Sequence, residues 1–333
     1  MRGRGTLFKC YDCALTTDKG PIFLSVQEKP ELRVWQFLDG LPGHEKQSDA
    51  LVAALSSRAD LDLLRISWPL EGSDFFSNSM QRQDSPDLLI GAGHSIHVPL
   101  LRAKWKYGAK AVLLMKPTLP TFLFDLVLVP EHDRLLLKHN VFRIEGALAK
   151  GSSVAASASK GIILLGGPSR HFTWQPEKLI GQIDRILKRD NDISWTIANS
   201  RRTPEIFSQL VATRLKRKIV YWSDVDNDWL ENELAQCGST WVTPDSISMV
   251  YEALTTQGRV GILDMNPLGR GGKVSSSIDR LVKAGRLGRS SSGSLLQQLE
   301  TFEPLQENHR CAQHIIDTWF KNSKSGYVNR TTA

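Results

Sequence analysis

His44 lies five residues after Asp39 and directly between Gly43 and Glu45. Imidazole is the usual proton acceptor near neutral pH, and a neighbouring carboxylate can fix its tautomer. His44 is therefore a candidate general base, with Asp39 and Glu45 as orienters or substitute bases. The bland alternative is a structural loop histidine. Gly40 and Gly43 would let the backbone approach a substrate closely.

A second group suits an anionic ligand. Gly166-Gly167-Pro168-Ser169 turns sharply, and exposed N–H groups there would receive a phosphate. Ser200, Arg201 and Arg202 add a hydroxyl and two permanent cations, since guanidinium matches phosphate geometry. A plain glycine turn with solvated arginines is the alternative. Asp245-Ser246 precedes a helical stretch, with Ser246 a cap whose helix start favours anions. Glu252, one to two turns on, would accept bonds from both hydroxyls of a ribose, unless this is only a capped surface helix.

Metal chemistry is not expected. His94 and His97 form H-x-x-H without an evident third ligand, and Cys10-x-x-Cys13 has no second pair. Asp224-Val225-Asp226 reads as an acidic helix start. Arg102, Lys104, Lys106 and Lys110 interleave with Trp105 and Tyr107, near Phe122-Leu123-Phe124. That pattern suits lipid headgroups, or else a solvated helix face over core aromatics.

These residues sit at the ends of apolar runs. Arg33–Leu38, Leu61–Ile66, Asp87–Ile90, Ala111–Met115, Leu126–Val129 and Val141–Ile144 read as strands, with helices near Gln47–Ser57 and His97–Tyr107 between them. A Ser/Ala-rich stretch, Gly151–Lys160, separates this set from a second. There Gly161–Leu165, Trp195–Ala198, Ile219–Trp222, Thr240–Val242 and Val260–Leu263 alternate with helices, the last run being the final strand. Helices are expected near Ser275–Ala284, Leu295–Thr301 and Gln306–Phe320, with a loop at Arg289–Ser294.

Strands alternating with helices twice over imply an α/β protein of two Rossmann-like domains facing a cleft. The expected division is an N-terminal extension (1–30), a first domain (31–150), a second (151–290), and C-terminal helices with a tail (291–333). The terminal helices could pack on either lobe.

Residues 31–150 carry 14 basic and 14 acidic side chains, and residues 151–266 carry 13 of each, so the net charge of +7 comes from the tails. That balance argues against a nucleic-acid partner. No run of 18 apolar residues occurs and no secretory core is evident, so a soluble, cytoplasmic chain is expected.

Six ordered motifs together resemble one family. They are Asp39-Gly40-Leu41-Pro42-Gly43-His44-Glu45-Lys46-Gln47, Pro86–His94, Met115-Lys116-Pro117 with Phe124-Asp125-Leu126 and Val129–Asp133, Gly166–Ser169, Ser200–Pro204, and Thr243–Ser246 with Ser248-Met249 and Glu252-Ala253. This set is similar to the mitochondrial-fission "elongated mitochondria" family, found in plants and in Gram-negative bacteria. The pattern commonly has arginine at Leu41 and asparagine at Lys46.

The resemblance implies a GT-B-like fold and, in bacteria, a glycosyltransferase related to lipopolysaccharide core assembly. Gly40-x-x-Gly43-His44 also resembles the acceptor-side loop of the lipid II N-acetylglucosaminyltransferase. The expected reaction moves a sugar from a nucleotide-diphosphate sugar to a membrane glycolipid, with no metal and no cofactor. Gly167, Ser169, Ser200, Arg201, Asp245, Ser246 and Glu252 would hold the donor. His44 or Asp39 would take the acceptor proton, with Gly40, Gly43, Glu45 and His94 on the acceptor side. Such a protein would be peripheral on the cytoplasmic face of the inner membrane. Plant members instead imply a non-catalytic protein recruiting a dynamin-like partner, and a third possibility is an epimerase or other nucleotide-sugar enzyme.

Overall fold

The computed structural model describes residues 16–17, 20–21, 29–68, 85–133, 135–136, 138–151, 155–226, 228–269, 272–292 and 303–321. Cys10, Cys13 and the whole of the expected helix at Leu295–Thr301 lie outside them. A small antiparallel pair, β1 (Thr16–Thr17) and β2 (Gly20–Pro21), precedes the main body.

The first lobe holds β3 (Glu31–Leu38), α1 (Pro42–Ser56), β4 (Asp60–Ser67), β5 (Leu88–Ala92), α2 (His97–Tyr107), β6 (Lys110–Leu114), β7 (Leu126–Pro130) and β8 (Val141–Ile144). The six strands are all parallel, in the order β4-β3-β5-β6-β7-β8. β5 and β7 are buried along their whole length, as strands covered on both faces must be. β4, at the edge, is buried only at Ile66. Apolar side chains fill both faces of the sheet: Leu51, Leu55, Ile90 and Leu128 on one, Trp35, Leu89, Leu100 and Val127 on the other. Each such side chain, fully buried, stabilises the fold by roughly 1.5–3 kcal/mol.

The second lobe repeats the plan with β9 (Ser157–Leu164), α3 (Pro176–Arg189), β10 (Ser194–Ala198), α4 (Glu205–Leu215), β11 (Ile219–Val220), α5 (Trp229–Gln236), β12 (Cys237–Val242), α6 (Ile247–Leu254), β13 (Arg259–Ile262), α7 (Lys273–Lys283) and β14 (Gly288–Arg289). Its parallel order is β11-β10-β9-β12-β13-β14. β14 replaces the start of the expected loop Arg289–Ser294, so the run at Val260 is not the last strand. Two residues are too few to show a periodicity. β9 starts inside the expected linker, at Ser157, because Cys237 and Ser239 of β12 pair with it.

The last helix, α8 (Glu307–Ile315), continues as a π-helical turn over Ile316–Phe320 and packs on the first lobe. Cys311, Ala312 and Ile315 enter the same core as Ala50 and Leu51 of α1. Just before it, Leu305 is buried in the second lobe, where its N–H donates to Leu254 O at 2.9 Å. The chain therefore crosses between lobes twice. Arg280 on α7 also pairs with Glu131 of the first lobe at 2.7 Å. Among the described residues no helix is long and apolar enough to cross a membrane.

Candidate functional site

In each sheet one pair of adjacent strands sends its connections in opposite directions, and ligands favour that switch point. In the first lobe the pair is β3 and β5. The loop after β3 carries Asp39, and the loop after β5 carries Gly93, His94 and Ser95.

The expected loop Asp39–His44 is shorter than its sequence suggests. α1 starts at Pro42, whose fixed φ suits a first helical position, so Gly43, His44 and Glu45 belong to its first turn. No side chain caps this helix. Glu45 instead accepts a bond from Gly40 N–H at 3.0 Å, which closes the turn. The buried Gln36 of β3 donates to Ser48 Oγ and Asp49 Oδ1, both at 2.8 Å, and ties α1 to the strand.

His44 Nδ1 lies 2.7 Å from Asp39 Oδ2. The same oxygen accepts Ser95 Oγ–H at 2.8 Å, and Asp39 Oδ1 accepts Leu41 N–H at 3.2 Å. Burial pushes the Asp39 carboxyl up, but the bonds from His44, Ser95 and Leu41 outweigh it and leave it below its ordinary value. An ionised Asp39 accepts a hydrogen bond from Nδ1–H, which leaves the ring lone pair on Nε2. Among the described residues Nε2 has no protein partner. Gly93, at φ +86°, passes so close to the imidazole that any Cβ there would overlap it. His94 is exposed beside this cluster, whereas His97 is buried in α2, with Nδ1 3.3 Å from Thr118 Oγ1. The two histidines of H-x-x-H thus face different surroundings.

The second switch point lies between β9 and β12, and it is built differently. Gly166 N–H donates to Thr243 Oγ1 at 2.7 Å, and Gly167 N–H donates to Asp245 Oδ2 at 3.0 Å. These donors were expected to be open to a phosphate and are instead engaged by the neighbouring loop. Asp245 has no exposed side-chain surface and also pairs with Arg202 at 2.8 Å. Burial raises its carboxyl above the ordinary value, and the bonds from Gly167 and Thr243 and the Arg202 charge offset this only in part. Thr203 Oγ1 donates towards Leu165 O (2.8 Å) and Gly166 O (2.6 Å) and receives Ser200 N–H at 2.9 Å. A Cβ on Gly167 would run into the Arg202 carbonyl.

Polar groups remain around this riveted loop. Ser169 Oγ accepts the N–H groups of His171 and Phe172, at 3.2 and 3.3 Å, and keeps its own proton to donate. Ser200 Oγ lies 3.2 Å from Thr203 Oγ1. Arg201 is exposed, with its guanidinium 5.1 Å from the Trp222 ring centre. Ser246 takes the N-cap position of α6 but makes no side-chain cap bond there, contrary to expectation. The half-buried Glu252 lies further along α6. Burial raises its carboxyl, Lys46 pulls it partly back, and Glu231 adds to the rise. Lys46 belongs to α1, so the charge acting on Glu252 comes from the first lobe.

The sequence reading missed Ser95, and it placed Gly93, Thr203, Thr243 and Lys46 within its motifs without giving any of them a role. A usable signal existed for Gly93 and Ser95, because a switch point places the loop after β5 beside Asp39. Asp224-Val225-Asp226 does not start a helix; a 3₁₀ turn covers Trp222–Asp224, and α5 begins at Trp229.

A family model described as "Mitochondrial fission ELM1" matches residues 42–319. An uncharacterized protein of Rickettsia prowazekii (strain Madrid E) is 24% identical over 358 residues, covering 88% of this chain and 100% of that one. A UDP-N-acetylglucosamine 2-epimerase candidate of Listeria monocytogenes shares the fold with a TM-score of 0.55 at 10% identity, over 86% of this chain and 95% of its own. The UDP-GlcNAc 2-epimerase of Neisseria meningitidis, solved with UDP-GlcNAc, superposes with a TM-score of 0.53 at 10% identity, over 87% of this chain and 100% of its own. At such identities the likeness establishes the two-lobed, GT-B-like architecture. The family match runs from the first turn of α1 through α8 into the final π-helical turn, and the chain therefore belongs to the Mitochondrial fission ELM1 family.

Proposed function

We propose that this protein is a metal-independent glycosyltransferase that moves a sugar from a nucleotide-diphosphate sugar to a hydroxyl of a membrane glycolipid, of the lipopolysaccharide-core type. The observation that carries this reading is His44, held through Nδ1 by Asp39 at 2.7 Å, with Nε2 left without a protein partner among the described residues. Nε2 would take the proton of the acceptor hydroxyl. The acceptor oxygen would bond to the anomeric carbon as the bond to the diphosphate breaks, and the diphosphate would leave with that electron pair. Asp39 positions the ring and stabilises its charged form, because both its oxygens already accept bonds.

The second lobe takes the donor. Glu252 binds the ribose. Negative charge grows on the departing diphosphate, and the α6 start at Ser246, with no side-chain cap, supplies N–H groups and a positive helix end. Arg201, Ser200 and Ser169 add donors around the same strand ends. Gly167 lets the Arg202 carbonyl pack against it, and Asp245 holds that backbone in place beside these donors. Structural neighbours of this architecture include an enzyme solved with UDP-GlcNAc, which supports a nucleotide sugar as ligand.

The test is a screen of nucleotide sugars for thermal stabilisation, followed by acceptor-dependent release of nucleoside diphosphate. A ligand bound only by the folded state raises the melting temperature. Stabilisation by one nucleotide sugar is expected, with release abolished in His44→Ala. If none stabilises the protein, the proposal fails and the non-catalytic reading, recruitment of a dynamin-like partner, takes its place. The 2-epimerase neighbours favour a second reading, and a changed sugar formed without any acceptor would establish it.

A further inference from the structure

We propose that the outer face of α2, with the adjoining turn Thr121–Leu123, is a docking surface for an anionic lipid bilayer. Val98, Arg102 and Trp105 follow one another at i, i+4 and i+7, so they form one stripe along the helix. The opposite stripe, Leu100 and Ala103, is buried against the sheet. Trp105 is 67% exposed and Val98 52%. Phe122, 68% exposed, lies in the turn that Lys104 ties to α2. The Lys104 ammonium donates to Leu123 O at 2.9 Å and pairs with Asp125 at 2.9 Å.

Charge selects the occupant. The first lobe is balanced overall, yet between Asp87 and Asp125 its sequence contains Arg102, Lys104, Lys106, Lys110 and Lys116 and no acidic side chain. Asp125, at the border, is already neutralised by Lys104, with Lys110 at 3.8 Å. An exposed indole and a phenyl ring, flanked by cations on long apolar stems, match the headgroup boundary of a bilayer. Anionic headgroups would add attraction that a neutral bilayer lacks.

The surface also has a meaningful position. α2 starts two residues after Ser95, which bonds Asp39, so Val98 sits in its first turn near the Asp39–His44 cluster, and the half-exposed Leu41 donates its N–H to Asp39 Oδ1 in the same cluster. A bilayer on this stripe would bring headgroups to the mouth of the His44 site, where a lipid-linked acceptor could react without leaving the membrane. Only that last link rests on the sugar-transfer reading; the docking surface stands on exposure and charge.

The test is co-sedimentation of the full chain with phosphatidylcholine vesicles, with and without phosphatidylglycerol, at low and high salt. Binding is expected only to the phosphatidylglycerol vesicles, weakened by salt and reduced at least about tenfold in Trp105→Ala/Phe122→Ala. Arg102→Glu, a change at an exposed position, should weaken it too and serves if the double variant misfolds. Failure of the wild type to sediment with anionic vesicles, or unchanged binding by folded variants, would overturn the surface. Nucleotide-sugar stabilisation measured on the same samples separates the two proposals, since either can fail while the other holds.

Discussion

The two switch points occupy the same place in two similar sheets, and each carries an aspartate, yet the aspartates act in opposite ways. Asp39 uses its carboxylate to orient the His44 ring, whose Nε2 has no protein partner among the described residues. Asp245 turns inward, holding Gly167 N–H and the Arg202 guanidinium. A shared topology thus provides a favourable location, and local chemistry decides whether it presents an open imidazole or a rigid cradle.

The largest expected effect is on turnover. His44→Ala should lower acceptor-dependent release of nucleoside diphosphate by about a hundredfold or more, as loss of a general base does. Stability should change little, because the ring is anchored by one side-chain bond.

Next come the close-packed glycines, which contrast the lobes directly. Gly167→Ala would drive a methyl group into the Arg202 carbonyl and should cost about 2 kcal/mol of folding stability, seen as a lower denaturation midpoint. Gly93→Ala should act mainly on turnover, by roughly tenfold, because the atoms displaced belong to the His44 ring. Its φ of +86° adds a strain of about 1 kcal/mol. If Gly93→Ala were as active as the wild type, the assignment of the first switch point would be broken.

The smallest expected effect is the pH dependence of stability, which should differ in sign between the two aspartates. The Asp39 carboxyl is lowered on folding, so its contribution is present above its ordinary value and is lost as pH falls through the folded one. The Asp245 carboxyl is raised, so stability declines as pH rises from the ordinary value through the folded one. Denaturant unfolding between pH 3 and 7 on Asp39→Asn and Asp245→Asn should therefore change the slope in opposite directions.

Much of the scaffold was legible because its signals are local. α2 and β8 have the bounds their patterns predict, since an apolar helix stripe ending at Gly108 and a four-residue run carry their own limits. The start of α1 was misplaced because Gly40 and Gly43 read as loop, while Pro42 already sets a helical φ. The riveting of Gly167 was not legible at all. It depends on Asp245, 78 residues away, and on the pairing of β9 with β12 that brings their loops together. The same holds for Ser95 on Asp39, and for α8, whose apolar stripe could not say which lobe it would cover.

The division of labour between the lobes is tested most directly by calorimetric titration of one stabilising nucleotide sugar into wild type, Glu252→Ala and His44→Ala. The account predicts that Glu252→Ala weakens donor affinity by about tenfold, the loss of one charge-assisted hydrogen-bonding group. His44→Ala should leave that affinity unchanged. Unchanged binding in Glu252→Ala, or a loss of donor affinity confined to His44→Ala, would contradict it.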